Sequence, residues 1–537
     1  MVALWSEVLG KHQISVLDNF FEIGGHSLKA TRTISAIHKT FGVRLDLKTI
    51  FQNPTIADLG VIVSQAKEKL YQEIQPAPVA EYYDLSHSQK RIWLANRLTS
   101  VKYEYNVPYN FLLKGDIDQG ILLKSLVKLI QRHEILRTKF VLVDDLPVQV
   151  IISSDRISFS LTYEDLVDSI DKQKLTGILI ERISKEVFDL EKGTLMRAQL
   201  VKLEKDKYAF TVVLHHIISD AWSMEILLAE LSIIYDSILK KKHDGLADLA
   251  IQYKDYSFWQ NAIVKGGQLE SERQYWLNKL KNLKTTVDLP YDRERRDNLL
   301  ADGRSVSEKL SNEARNELQT LNSKYGTSYF MLLLAGIQTL LYRYCGSENI
   351  SVGFPVAGRN HPALENQIGY YSNTLIFTGK FLPEDFLEDV IRDVKADVLE
   401  SLENQNIPFD QVSEELNKTL KSTGSILFNV GLTWHDEVGI PGASDMTENF
   451  SAEVYSAPHN ISITDLWFNG YEVDDTLVLS VDYNASLFER STIETMLQRL
   501  IKILETLGRR PRTRISEIQF EDELVKSREE VSIHLRL

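Results

Sequence analysis

Apolar residues recur at helical spacing through the first part of the chain. They lie three or four positions apart in residues 4–9, from Ala30 to Phe41, and again from Ile56 to Val63. This spacing places the apolar side chains on one face of each helix. The pattern predicts a small all-α helical bundle over residues 1–66. Its first helix has no capping residue before it, so we expect the chain to be a fragment of a longer polypeptide.

A polar segment separates this bundle from a much longer block. Residues 67–81 carry charges and the prolines Pro76 and Pro78 but little apolar periodicity, which is typical of a linker. Beyond them, strand-like runs such as residues 208–216 alternate with long amphipathic helical segments such as residues 224–239. The alternation predicts an α/β architecture.

The length of the second block predicts more than one core. A stretch from about residue 82 to 520 exceeds the size of a single compact domain, so we expect two lobes. We place the N-terminal lobe at residues 82–260 and the C-terminal lobe at residues 261–520. Residues 521–537 are predicted to be a tail or a further linker.

The composition excludes several classes of protein. Among 537 residues, 61 Lys and Arg stand against 75 Asp and Glu, which gives a net charge of −14 and argues against a nucleic acid or a membrane surface as partner. No uncharged apolar run is long enough to span a bilayer. The single cysteine, Cys345, permits neither an internal disulfide nor a cysteine-based metal site. We expect a cytoplasmic monomer without a metal centre.

A serine follows a glycine pair in the predicted bundle. Residues 18–28 read DNFFEIGGHSL, in which two aromatic residues anchor a loop, two glycines free the backbone, and Ser27 begins a helix. On these residues alone, a helix N-cap is the commoner role of such a serine. The segment resembles the phosphopantetheine attachment motif of peptidyl carrier domains in nonribosomal peptide synthetases, and the resemblance covers residues 2–66. It implies that a phosphopantetheinyl transferase attaches 4'-phosphopantetheine to Ser27, and that the thiol of this arm carries an aminoacyl or peptidyl group.

A histidine pair ends one of the predicted buried strands. His215 and His216 close the run from Tyr208, and Asp220 follows before the next helix. A loop between a strand and a helix can hold an imidazole rigidly, and an imidazole transfers protons readily near neutral pH. The residues alone leave a structural pair open, with one histidine in the core and one exposed. A metal site is disfavoured, because no third ligand accompanies the pair.

The stretch HHIISDA from His215 to Ala221 resembles the HHxxxDG motif of condensation domains, and the resemblance extends over residues 82 to about 515. Further motifs of that family occur in order, whereas the closing one, around Thr423–Phe428, is degenerate. The matching segments are SHSQKRIW from Ser86, RHEILRTKF from Arg132, YKDYSFW from Tyr253, IGYYSNT from Ile368 and NQNIPFD from Asn404. The resemblance implies two lobes like those of chloramphenicol acetyltransferase, with the histidine motif midway along a tunnel between them.

The resemblance also implies a reaction. A donor acyl or peptidyl thioester on the arm of Ser27 would be transferred to the α-amine of an aminoacyl group on a downstream carrier domain, forming a peptide bond. An upstream adenylation domain would load Ser27. We assign hydrogen bonding to the attacking amine to His216, support of the loop to His215, and a structural role to Asp220.

Either of two arginines could be the partner of Asp220. Arg137 and Arg359 both lie between residues 82 and 515, and either could balance the carboxylate or could form a surface or interlobe ion pair instead. The sequence does not choose between them.

Ala221 occupies the position of the family's glycine. Its methyl group penalises a positive φ, so we expect either a tolerated variant or a narrowed acceptor channel. This departure and the degenerate closing motif keep an alternative function open, a catalytically silent condensation-like domain that serves as a docking platform for carrier domains or tailoring enzymes. An epimerase-type relative is less favoured, because the series of motifs follows the condensation pattern.

Overall fold

The computed structural model describes most of the chain. It covers residues 1–11, 13–25, 27–43, 45–66, 73–99, 101–281, 283–294, 302–420, 428–435, 450–455, 464–473 and 476–520. The predicted tail, the first part of the predicted linker and residues 423–427 of the degenerate motif lie outside these ranges. Within them, no helix combines the length and apolar character that crossing a membrane requires.

The N-terminal block is a helical bundle around an aromatic centre. Trp5 packs edge-on against Phe20 with ring centres 4.9 Å apart, and both side chains are fully buried. The side chain of Thr55 caps the last helix by accepting from the backbone N–H of Asp58. The helices are α1 (Val2–Leu9), α2 (Ser27–Phe41), α3 (Leu47–Gln52) and α4 (Ile56–Gln65).

The next part of the chain builds the first α/β lobe. Its strands and helices alternate, and nearly every residue of the central strand β7 is buried, as the apolar run from Tyr208 predicts. The elements are β1 (Tyr83–Asp84), α5 (His87–Leu98), β2 (Asn106–Gly115), α6 (Gln119–Arg132), β3 (Thr138–Val143), β4 (Leu146–Ile151), β5 (Leu161–Asp165), α7 (Lys172–Lys185), β6 (Met196–Glu204), β7 (Lys207–His215), α8 (Ala221–Lys240) and α9 (Tyr253–Lys265). Helix α10 (Glu270–Leu280) follows, and its buried Trp276 and Leu280 belong to the core of the second lobe.

The second lobe follows the same alternation. Its central helix α12 is buried on all sides between the sheet and neighbouring helices. The elements are β8 (Gly303–Lys309), α11 (Asn312–Tyr325), α12 (Tyr329–Cys345), β9 (Asn349–Val356), β10 (Asn373–Lys380), α13 (Leu387–Glu403), α14 (Phe409–Leu420), β11 (Val430–His435), β12 (Phe450–Val454), β13 (Leu466–Val473), β14 (Thr476–Asn484) and α15 (Arg490–Arg509).

Each lobe has its own large sheet, and the chain crosses between them. The first sheet has the order β12-β2-β7-β6-β5 and the second the order β10-β9-β11-β13-β14-β8. Strand β12 comes from the C-terminal half of the chain, yet it pairs antiparallel with β2. The prediction of a helical bundle followed by a two-lobed α/β domain is therefore confirmed, while the limits at residues 66, 260 and 520 stay predictions.

A second connection brings part of the C-terminal half into the core of the first lobe. Leu364, Ile368, Tyr370 and Tyr371 belong to that core. The hydroxyl of Tyr253 donates to the carbonyl oxygen of Tyr370 at 2.6 Å, which ties the YKDYSFW and IGYYSNT motifs together. Residues from both halves of the chain thus meet at the histidine motif.

Candidate active site

The histidine loop is short and anchored at its start. Strand β7 ends at His215, residues 216–218 form one 3₁₀ turn, and α8 begins at Ala221. The backbone N–H of His215 donates to the carbonyl of Leu195 at 3.0 Å, and that of His216 to the carbonyl of Tyr105 at 2.8 Å. Because both neighbouring segments hold the backbone, the two imidazoles have fixed positions.

The imidazole of His216 has one nitrogen committed to the protein. Its Nδ1 lies 2.7 Å from the carbonyl oxygen of Ser219, and a carbonyl oxygen can only accept, so Nδ1 carries the hydrogen. Burial lowers the pKa of this half-buried side chain, which favours the neutral ring. The neutral ring has a lone pair on Nε2. His216 can therefore accept a hydrogen bond or a proton at that atom.

His215 has a different environment. Its side chain is fully buried, and its Nδ1 accepts from the backbone N–H of Ile217 at 3.2 Å. Burial, with a smaller contribution from neighbouring His216, lowers the pKa of His215 to about 3. A neutral histidine that braces the turn suits support of the loop.

Asp220 is the N-cap of α8 and accepts several hydrogen bonds. Its Oδ1 accepts from the backbone N–H and the hydroxyl of Ser223, at 2.8 and 2.7 Å, and from Nη2 of Arg359 at 3.0 Å. Its Oδ2 accepts from the backbone N–H of Tyr371 at 3.1 Å. These contacts join the start of α8 to the C-terminal half of the chain, so the carboxylate acts as a structural anchor.

The structure chooses between the two candidate arginines. Arg359 is buried, lies against the ring of Tyr371 at 4.2 Å from its centre, and pairs with Asp220. Arg137 instead donates to the carbonyl of Ile152 at 2.6 Å and lies 3.6 Å from Glu134. Arg359 thus supports the site, and Arg137 belongs to a local structural pair.

One basic residue of the site was not predicted from the sequence, although it lies within the SHSQKRIW motif. Arg91 of α5 donates to the hydroxyl of Tyr370 at 2.7 Å and to Oγ1 of Thr374 at 3.2 Å. The ring of Tyr370 lies 4.6 Å from that of His216, and the charge of Arg91 contributes to the lowered pKa of the histidine. Arg91 therefore positions an aromatic neighbour of His216 and favours its neutral form.

The structure shows no positive φ at Ala221. Among the described residues other than glycine, positive φ occurs at Asp144, Asp145, Thr194 and Lys241, whereas Ala221 is the first residue of a regular helix. A methyl group at this position causes no backbone strain. Its side chain is exposed and lines a cavity.

That cavity, of about 960 Å³, is shared by the helical bundle and both lobes. It reaches Asp220 at the base of the histidine loop. Lining residues include Gly24, Gly25 and Lys29 of the bundle, Tyr109, Ala221 and Trp222 of the first lobe, and Tyr329, Phe354 and Trp434 of the second. The methyl group of Ala221 therefore faces the cavity beside the helical bundle.

Each of the two glycines before Ser27 is required for a different physical reason. Gly24 has a φ of +95°, a backbone conformation that favours glycine, whereas a Cβ on Gly25 would lie 2.2 Å from the ring of Phe20. Ser27 is the first residue of α2, and its side chain lies outside the described part of the structure. A serine at a helix start, behind a glycine pair that opens into a large cavity, fits the attachment of a long, slender phosphopantetheine arm.

The bundle packs against both lobes. Helix α2 contacts residues 362–364, and α3 contacts α13 of the second lobe. The hydroxyl of Ser323 donates to Glu22 at 2.9 Å. These contacts place the Ser27 loop beside the cavity that reaches Asp220.

Comparisons with known families cover almost the whole chain. A family model described as "Condensation domain" matches residues 79–528, and one described as "Phosphopantetheine attachment site" matches residues 1–60. Bacitracin synthase 3 of Bacillus licheniformis is 34% identical over 96% of this chain, and gramicidin S synthase 2 of Brevibacillus brevis is 32% identical over 97%. The chain spans 8% and 11% of the lengths of these two relatives.

Solved structures show the same fold at lower identity. The X-domain from teicoplanin biosynthesis matches 83% of this chain and all of its own, with a TM-score of 0.76 and 22% identity. The four-domain nonribosomal peptide synthetase AB3403 matches 83% of this chain over 34% of its own, with a TM-score of 0.74 and 23% identity. The chain therefore belongs to the condensation-domain family of nonribosomal peptide synthetases and carries a phosphopantetheine attachment domain before the condensation domain.

Proposed function

We propose that this chain forms a peptide bond between a donor held at Ser27 and an amine delivered by a separate carrier domain. One observation carries the proposal, the cavity that joins the Ser27 loop of the carrier to Asp220 and Ala221 beside the histidine loop. A donor that enters there meets Asp220, which anchors the loop that carries His216. This arrangement supports the carrier domain as the donor in the reaction.

The chemistry requires a neutral amine that attacks a thioester carbonyl. A C–N bond forms, the C–S bond breaks, and the proton lost by the amine leaves with the released thiol. His216 accepts the hydrogen bond of the attacking amine at Nε2, because Nδ1 is held by Ser219. Whether the ring only orients the amine or also takes its proton, the same neutral tautomer is needed.

The other residues keep this imidazole in place. Asp220 and Arg359 fix the end of the loop that follows His216, and Arg91 fixes Tyr370 against its ring. None of these three groups needs to change protonation during transfer. Their role is to hold the geometry that a positioned reaction depends on.

The residues before and at Ser27 would hold the phosphopantetheine group. When bound, this group supplies a thiol that keeps the donor as a reactive thioester. The backbone at Gly24 and Gly25 lets the loop before Ser27 turn closely against Phe20, and Tyr109 and Trp222 line the cavity beside this loop.

The proposed reaction requires partners beyond this chain. An adenylation domain upstream would activate and load the donor, a phosphopantetheinyl transferase would modify Ser27, and a downstream carrier domain would present the acceptor. The four-domain nonribosomal peptide synthetase AB3403, and the 8% of bacitracin synthase 3 that this chain spans, support this multienzyme setting. A cytoplasmic location fits a chain with a single cysteine, Cys345.

A single-turnover reaction followed by intact-protein mass spectrometry tests the proposal. The chain is converted to its holo form, loaded with a donor aminoacyl group, and mixed with a separate carrier bearing an acceptor. We expect the acceptor carrier to gain the mass of the donor residue, and we expect no gain with Ser27→Ala. Complete loading of Ser27 without transfer, over several donor and acceptor pairs, would contradict the proposal and favour a silent docking platform. If the aminoacyl group on Ser27 shows an inverted configuration at its α-carbon and no new amide forms, the result would favour an epimerase.

A further inference from the structure

Helix α2 of the carrier rests on a small polar and aromatic surface next to the histidine loop. We call Trp222, Glu225 and Glu365 the α8 docking surface. Nη2 of Arg32 lies 3.2 Å from Oε2 of Glu225, and the guanidinium of Arg32 lies 3.9 Å from the centre of the Trp222 ring. The hydroxyl of Ser35 donates to Oε1 of Glu365 at 2.7 Å. Two side chains of the carrier thus engage all three residues.

The arginine that pairs with Asp220 also holds this surface. Nη1 of Arg359 donates to the carbonyl oxygens of Leu364 and Gln367, each at 2.6 Å, and so holds the segment that contains Glu365. The indole N–H of Trp222 donates to the carbonyl oxygen of Glu365 at 3.0 Å. The α8 docking surface is therefore rigidly connected to the anchor of the histidine loop.

The charges on the two sides are complementary. The side chains of Arg32 and Glu225 are each about 30% exposed, at 31% and 29%. Burial raises the pKa of Glu225, and Arg32 is the largest influence that opposes this rise. A planar guanidinium stacked on an indole and paired with a carboxylate fixes orientation as well as contact. Lysine in its place would keep the charge but lose the fixed plane.

We propose that Arg32 is a positioning residue of the donor carrier, and that its contacts with the α8 docking surface orient the Ser27 loop toward the cavity beside Ala221. The inference rests on the proposed function, because it identifies the face of the carrier that delivers the donor. It assigns Trp222 and Glu225 a second role, the recognition of the carrier, in addition to their place in α8.

A charge exchange tests this role in the full chain. Single-turnover transfer from loaded Ser27 is measured for the wild type, Arg32→Glu, Arg32→Lys and the double variant Arg32→Glu with Glu225→Arg. Lys39→Glu is the matched control, because Lys39 lies on the same helix and is exposed. Intact mass confirms equal loading. Each protein is also given a soluble donor, an aminoacyl thioester of free pantetheine, which needs no docking.

We expect Arg32→Glu to slow transfer from Ser27 by roughly tenfold and to leave transfer from the soluble donor unchanged. The double variant should recover most of the lost transfer rate. The rate of Arg32→Lys should lie between those of the wild type and Arg32→Glu, and the rate of Lys39→Glu should match that of the wild type. The inference is overturned if Arg32→Glu transfers as fast as the wild type, if Lys39→Glu loses as much, or if the soluble donor slows equally. No transfer from either donor in the wild type would instead contradict the proposed function, and the inference with it.

Discussion

Nη2 of Arg359 lies 3.0 Å from Oδ1 of Asp220, across 139 residues of sequence, and both side chains are buried. This pair joins the loop that carries His216 to the second half of the chain. Removing one member of a buried ion pair leaves the other charge without compensation.

Arg359→Ala should therefore be strongly destabilising. We expect the free energy of unfolding to fall by about 3–5 kcal/mol. Arg137→Ala is the matched control, because that side chain is partly exposed and mainly contacts a backbone carbonyl, so its loss should cost about 1–2 kcal/mol. Urea unfolding followed by tryptophan fluorescence compares the two variants. Equal losses in the free energy of unfolding would show that the pair of Arg359 and Asp220 contributes no more to stability than the contacts of Arg137.

His215 makes the stability of the fold depend on pH. Its pKa is about 3 in the folded chain and near 6.5 when unfolded, so below about pH 6.5 the unfolded chain binds the extra proton. The stabilisation from neutral His215 is complete above that pH and decreases as the pH falls toward 3. Between pH 7.5 and 5.0 the wild type should lose roughly 2 kcal/mol more than His215→Gln does. Urea unfolding at both values measures this difference, and identical losses in the two proteins would contradict the assignment.

Ala221→Gly should not improve the enzyme. Ala221 begins a regular helix, so glycine relieves no strain there and lowers stability by at most about 1 kcal/mol. Transfer from loaded Ser27 should stay within about twofold of the wild type. Single-turnover rates measure this. A gain of more than about fivefold would mean that the methyl group obstructs the passage to the histidine loop.

Local patterns predicted the elements that carry the chemistry. The apolar run from Tyr208 and the polar loop that follows it locate β7, the histidine pair and the start of α8 within a few residues. These features depend on neighbours in the sequence, and burial on both faces of a central strand leaves a clear apolar run.

Contacts between distant segments could not be predicted in this way. Nothing near Arg359 or Arg137 in the sequence reveals which of them meets Asp220, since the choice depends on how the two lobes pack. The pairing of β12 with β2 and the placement of Arg32 on α8 are of the same kind. The glycine of the family motif suggests an unusual backbone at position 221, whereas Ala221 begins a regular helix in the structure.

We propose that His216, whose Nδ1 is held by Ser219, serves the attacking amine through Nε2. The most direct test is the single-turnover transfer rate from loaded Ser27 in His216→Ala, with equal loading confirmed by intact mass. We predict a rate at least about 100-fold below that of the wild type, with an unchanged unfolding midpoint because the ring is only half-buried. A rate within about threefold of the wild type would contradict this role of His216, because transfer would then not depend on its imidazole.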